Sequence, residues 1–154
     1  MRRARRAVRP QRPSRSGGGR GRDGVHVGQD DTPVALARRA VGDDAIVGLS
    51  THSIAQAEAG ARSGADYIAV GPVHATPTKE GRPAIGLEPV RHAAAHRDLP
   101  WFAIGGIDES TIGDVVAAGA QRVVVVRAIA EAEDPERAAR VLREALTRGR
   151  IGAA

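Results

Sequence analysis

Short apolar runs alternate with amphipathic segments along most of this chain. Read as strands, the runs are residues 24–28, 45–49, 67–70, 101–104 and 122–126. They are brief and mostly rich in Val, Ile and aromatic residues, as suits strands of a buried parallel sheet. Between them, a spacing near 3.6 predicts helices over residues 33–41, 54–63, 88–96, 110–118 and 135–147. Local chemistry marks several helix ends. Thr32 before Pro33 reads as a cap followed by proline at the first helical position. Ser53 and Gln56 have capping-box spacing. Gly64 and Gly119 stand where helices should stop, and Asp134-Pro135 opens the last one.

Strands that alternate with helices predict β/α units and a parallel sheet. Two architectures fit, part of a (β/α)8 barrel or an open doubly wound sheet. No G-x-G-x-x-G follows the first strand, which weighs against a dinucleotide fold. In both architectures ligands sit at the carboxyl ends of strands, so the five strand-to-helix loops should converge on one face.

Charge divides the chain in two. Residues 1–22 hold nine arginines and no acid, leaving 14 basic against 18 acidic residues in the remainder. The high pI therefore belongs to the tail, and the body gives no electrostatic support for nucleic-acid binding. A nucleic-acid partner would have to use the arginine tail, which carries no aromatic platform. The tail is Arg, Gly, Pro and Ser text with nothing to build a core, so disorder is expected there. Cysteine is absent, which excludes disulfides and thiolate metal sites. No apolar run reaches membrane-spanning length. The arginines precede no hydrophobic segment, and Pro10, Pro13 and Gly17-Gly18-Gly19 make a poor amphipathic targeting helix. A cytoplasmic location is the expectation.

The predicted loops carry the candidate chemistry. Gly71-Pro72-Val73-His74-Ala75-Thr76-Pro77-Thr78-Lys79 places two hydroxyls and an ammonium within four positions after a strand. That set suits a phosphorylated ligand, and a proline-rich surface turn is the plain alternative. Asp31, after Gly28-Gln29-Asp30, could hold Mg2+ near a phosphate, or simply favour the dipole of the next helix. Ser50, in Ser50-Thr51-His52, could donate to a phosphate oxygen, or be a turn hydroxyl. Gly105-Gly106 would let the backbone approach an anion, or form a tight turn. His92 and His96, at i and i+4, read as a solvated face, because no third metal ligand is evident. His26, His52 and His74 read as incidental packing or loop residues. The arginines of the last helix, among them Arg137 and Arg140, read as its solvated face.

Taken together, the segments DGVHVGQDD, GLSTHS, ADYIAVGPVHATPTK, AIGGI and VVVVRAI resemble the thiamine phosphate synthase family from its fourth strand onward, over residues 23–148. The resemblance implies an incomplete (β/α)8 barrel, about strands 4–8, as a domain over residues 23–150. It implies a transferase that joins a pyrimidine-methyl diphosphate to a thiazole phosphate, with Mg2+ as cofactor. By position, Asp31 would bind Mg2+. Ser50 and Lys79 would hold the diphosphate as it leaves. Thr76, Pro77, Thr78, Gly106 and the backbone at Val126 and Arg127 would contact the thiazole phosphate. The family often has Ser where Arg127 stands. A thiazole tautomerase-like homologue typically carries His after the strand-six glycine, where this chain has Pro72, and a non-catalytic phosphate binder is a further alternative. Self-association stays open.

The family barrel also has three earlier strands with further diphosphate and Mg2+ ligands. Residues 1–22 contain no strand-like run and no acid. The expectation is that this span is mistranslated or wrongly started, or that the gene is a broken fragment, and that the 154-residue chain turns over weakly or not at all.

Overall fold

The computed structural model describes residues 24–76, 83–96 and 99–151. The expected disorder of residues 1–22 lies outside them, as do Pro77, Thr78 and Lys79. Five strands form one sheet: β1 Gly24–Val27, β2 Ile46–Thr51, β3 Tyr67–Val70, β4 Trp101–Ile104 and β5 Val123–Val124. All neighbours are parallel, and the spatial order is β1-β2-β3-β4-β5. A doubly wound sheet reverses direction at a switch point. This order never reverses, so the sheet is a run of barrel staves, and the open-sheet alternative falls.

Six helices accompany it: α1 Val34–Val41, α2 Ile54–Ala61, α3 Glu88–Ala95, α4 Ile112–Ala117, α5 Arg127–Ala130 and α6 Pro135–Ile151. The register puts Val27, Leu49 and Ile68 on one face of the sheet, with Thr51, Val70 and Ala103. All of these are buried, and they join Val34, Ala57, Val90 and Val115 of the helices in one core. Period-two alternation assigns His26, Gly48, Ser50, Tyr67, Phe102 and Ile104 to the opposite face, the inside of the barrel. The single Trp, Tyr and Phe all lie on β3 and β4. Trp101 is buried toward the helices, and Tyr67 meets Phe102 edge-on at 5.4 Å across the inner face.

Helix ends follow the sequence with one exception. The Ser53 hydroxyl accepts from Gln56 N–H, and Gln56 Oε1 accepts from His52 N–H at 2.7 Å. This is a capping box shifted by one residue on its return arm. Asp134 Oδ1 accepts from Arg137 N–H at 2.8 Å and opens α6. Gly64 and Gly119 adopt φ of 84° and 99°. The exception is α1. Pro33 is extended (ψ 143°) and sits before the first helical residue, so Thr32 lies outside the helix and caps nothing. Three other expectations are corrected. Ser50 and Thr51 belong to β2 rather than a loop, because Thr51 pairs with Val70 and its hydroxyl donates to Ala69 C=O. The last strand shrinks to Val123–Val124. Arg127-Ala128-Ile129 is the helix α5 rather than a loop, since Ala130 N–H reaches Val126 C=O at 2.8 Å.

Asp66 fastens the start of β2. Its Oδ2 accepts from Val47 N–H and from Arg38 of α1, each at 2.6 Å. The Val47 N–H first, then Arg38, hold this carboxyl below its ordinary value. A lowered folded pKa stabilises the fold above the unfolded value of about 4, and the contribution is lost as pH falls through the folded value. Urea unfolding of wild type and Asp66→Asn should therefore show a gap at pH 6 that narrows below about pH 4. A gap unchanged by acid would remove Asp66 from the acid response.

Candidate active site

The first half of the β3–α3 loop is not a loose turn. Gly71 N–H donates to Thr51 C=O at 3.1 Å, Val73 N–H to Ile104 C=O at 2.9 Å and His74 N–H to Gly105 C=O at 3.1 Å. The chain thus continues the sheet ladder for several residues past β3. Ile85 and Gly86 return to it, donating to Pro72 and Val73. Val73 is buried and anchors the segment. Thr76 is carried on this rigid support.

Facing it is the turn after β4. Gly105 and Gly106 take φ of 98° and 61°, a region costly for residues with a Cβ. Space is equally restrictive. A Cβ on Gly105 would lie 2.4 Å from Pro72 Cβ, and one on Gly106 would lie 2.7 Å from His74 Cβ. Thr111 Oγ1 donates to Gly106 C=O at 3.1 Å, fixing that carbonyl toward α4. Asp108 then gathers the start of α4, its Oδ1 accepting from Ser110 Oγ, Ser110 N–H and Thr111 N–H. The Ser110 hydroxyl foremost, with these backbone donors, holds the Asp108 carboxyl below its ordinary range.

Between these supports lies a cavity of about 440 Å3 at the carboxyl ends of the strands. Five residues proposed from sequence line it: Ser50, Thr76, Gly106, Val126 and Arg127. It also takes in His52, which reads from sequence as incidental, and Asp108 and Glu131, which no motif marks. His52 Nδ1 meets Gly71 C=O, so this histidine helps position the loop. Glu131 was legible in principle, four residues after Arg127 on one helical face. Its carboxylate receives Arg127 Nε at 2.9 Å and Nη2 at 2.8 Å. The pairing raises the Arg127 pKa and lowers that of Glu131. Both carboxylates of the lining are thus turned to donors of the chain itself. Asp31 stands outside this lining, exposed after β1, with Oδ2 accepting from Gly28 N–H at 2.7 Å. Among the described residues no group of three or more His, Asp or Glu could cage a metal ion, and no helix is long and apolar enough to cross a membrane.

Parallel staves wound in one direction, with a cavity at their carboxyl ends, define part of a (β/α)8-barrel enzyme domain. The chain belongs to the thiamine monophosphate synthase family, whose profile matches residues 18–129. It is 61% identical over 127 residues to the thiamine-phosphate synthase of Saccharopolyspora erythraea, covering 80% of this chain and 57% of that protein. It is 54% identical over 129 residues to that of Gloeobacter violaceus, covering 84% and 38%. The chain thus spans about half the length of these curated relatives. Among solved structures, thiamine phosphate pyrophosphorylase from Pyrococcus furiosus matches with TM-score 0.73 and 31% identity over 82% of this chain and 60% of that one. A 3-hexulose-6-phosphate synthase matches with TM-score 0.58 and 26% identity, over 80% and 61%.

The glycine turn gives a direct check. Gly106→Ala is expected to cost about 2 kcal/mol or more, since left-handed strain and a clash with the His74 segment add. Chemical denaturation measures it, and an unchanged midpoint would mean that the turn tolerates a Cβ.

Proposed function

We propose that this chain carries the thiazole phosphate side of a thiamine phosphate synthase active site, with part of its diphosphate side. The observation that supports it best is the convergence of Ser50, Thr76, Gly106, Val126 and Arg127 on one cavity. The sequence motifs and the family resemblance together imply phosphate-site roles for all five, which lie up to 77 residues apart in the chain, from Ser50 to Arg127.

The reaction joins 4-amino-2-methyl-5-(diphosphooxymethyl)pyrimidine to thiazole phosphate. The bond from the pyrimidine methylene to the diphosphate oxygen breaks, and its electron pair leaves with diphosphate. The lone pair of the thiazole nitrogen forms the new C–N bond, giving thiamine phosphate. No nucleophilic side chain is consumed, so the protein's task is to position both partners and stabilise departing charge. Ser50 donates its hydroxyl to the diphosphate, and Lys79 neutralises that group as it departs. Thr76, Pro77, Thr78 and Gly106 frame the thiazole phosphate, with the backbone at Val126 and Arg127. Because Glu131 engages the Arg127 guanidinium, backbone donation rather than this side chain carries the contact there.

Asp31 fits a Mg2+ ligand of the kind that shares the ion with substrate phosphates and waters. It is exposed at the carboxyl end of β1, and the Gly28 N–H fixes its carboxylate. Bound Mg2+ supplies charge neutralisation at the diphosphate, and Asp31 would hold it there. The working domain is residues 23–150, with residues 1–22 outside it, in a cytoplasmic protein.

The purified chain should bind thiazole phosphate in calorimetry. Thr76→Val should weaken binding about ten-fold, the loss of one hydrogen bond to a charged acceptor. Arg127→Ser should stay within about three-fold of wild type. Thiamine phosphate formed from both substrates with Mg2+ supports the full reaction, and loss of product on chelation supports the metal's part. Binding without product leaves a phosphate-ligand binder, and absence of binding rejects the site.

A further inference from the structure

The inner face of the sheet holds a hydrogen-bonded chain that the reaction scheme has not used. His26 of β1 lies 3.0 Å through Nδ1 from the Tyr67 hydroxyl of β3, and 2.8 Å through Nε2 from Ser50 Oγ of β2. Register explains how three strands meet here. His26, Gly48 and Tyr67 stand at one level, with Gly48 between the two rings. A Cβ on Gly48 would lie 2.2 Å from Tyr67 Cζ and 2.5 Å from His26 Nδ1. The missing side chain on the middle strand is therefore the gap through which β1 reaches β3.

We infer that His26 is a positioning residue whose tautomer, set by Tyr67, leaves the Ser50 hydroxyl proton available to an anion in the cavity. The inference rests on the reading of Ser50 as a diphosphate ligand. A neutral imidazole has one N–H and one lone pair, so the chain can run in only two directions. In one, Tyr67 O–H donates to Nδ1, and Nε2–H donates to Ser50 Oγ. In the other, Nδ1–H donates to Tyr67, and Ser50 O–H is consumed at Nε2. A phenol is more acidic than an aliphatic alcohol, so it is the better donor and the poorer acceptor. The first direction therefore pairs each group with its stronger role. Burial raises the Tyr67 pKa, which keeps that proton in place. With Nε2–H already satisfying the Ser50 oxygen, the serine proton is directed elsewhere, and Ser50 lines the cavity. Gln29 Nε2 donates to Ser50 C=O at 2.6 Å and steadies the same residue from the β1 loop.

The tautomer is read without any ligand. In the 15N-labelled chain at alkaline pH, the His26 ring nitrogens should report Nε2–H, and Tyr67→Phe should shift the population toward Nδ1–H. An Nδ1–H wild type would overturn the inference. The functional arm uses inorganic diphosphate as probe in calorimetry. Ser50→Ala should lose about ten-fold in affinity. Tyr67→Phe should lose several-fold although it touches no ligand. His26→Gln, whose amide can accept and donate in the same sense, should stay within about three-fold, whereas His26→Leu should fall with Ser50→Ala. If Ser50→Ala weakens binding while Tyr67→Phe changes neither tautomer nor affinity, the inference fails and the Ser50 reading stands. If Ser50→Ala binds as wild type, the Ser50 reading itself fails.

Discussion

The pairing of the β3–α3 segment with the end of β4 is the contact on which the site depends. Val73 and His74 donate to the carbonyls of Ile104 and Gly105, so the loop that carries Thr76 is an extension of the sheet. Three glycines make that approach feasible. At Gly71 a Cβ would fall 2.0 Å from Ile104 C=O, and at Gly105 and Gly106 it would strike Pro72 and His74. Backbone fit, more than side-chain chemistry, sets where the cavity walls stand. That suits the proposed reaction, whose demands are placement and charge compensation.

Much of this was legible because β/α units put their strand-to-helix loops on one face. The apolar runs at 67–70 and 101–104 matched their strands to the residue. Ser50, Thr76 and Gly106 stood out as hydroxyl or anion-cradling groups in those loops, the family resemblance pointed to Val126 and Arg127, and all five line the cavity. What escaped the sequence depended on register or on short-range closure. His26 and Tyr67 are 41 residues apart and meet only because Gly48 stands between them. Nothing local distinguishes such a histidine from one packed by chance. The brief α5 turn has too few residues for a periodic signal, so Arg127-Ala128-Ile129 reads as a loop and Glu131 goes unmarked. Thr32 looked like a cap because Thr-Pro often opens a helix, yet the extended Pro33 moved the start by one residue.

The electrostatics of the cavity follow from neutralised pairs rather than from bare charge. Asp108 spends its lone pairs on the start of α4, and Glu131 spends its own on Arg127. The body as a whole is acidic, with 14 basic against 18 acidic residues after residue 22. Among the described residues, an anion in this cavity would therefore meet hydroxyls and backbone dipoles at short range, where they act strongly, rather than a long-range positive field. The exposed Arg127–Glu131 pair adds little to folding stability. What it does fix is the partner of the guanidinium, a carboxylate of the chain itself at the cavity lining.

The opposed placement of the single tryptophan and the single tyrosine makes the sheet an optical instrument. Trp101 is packed against the helices, and Tyr67 looks into the barrel. Intrinsic fluorescence from the indole reports the seating of the helix layer. Ultraviolet absorbance of the phenol reports the polarity of the chamber on the other side. Events at the two surfaces of one sheet, a few ångströms apart, can thus be followed separately in the unlabelled protein.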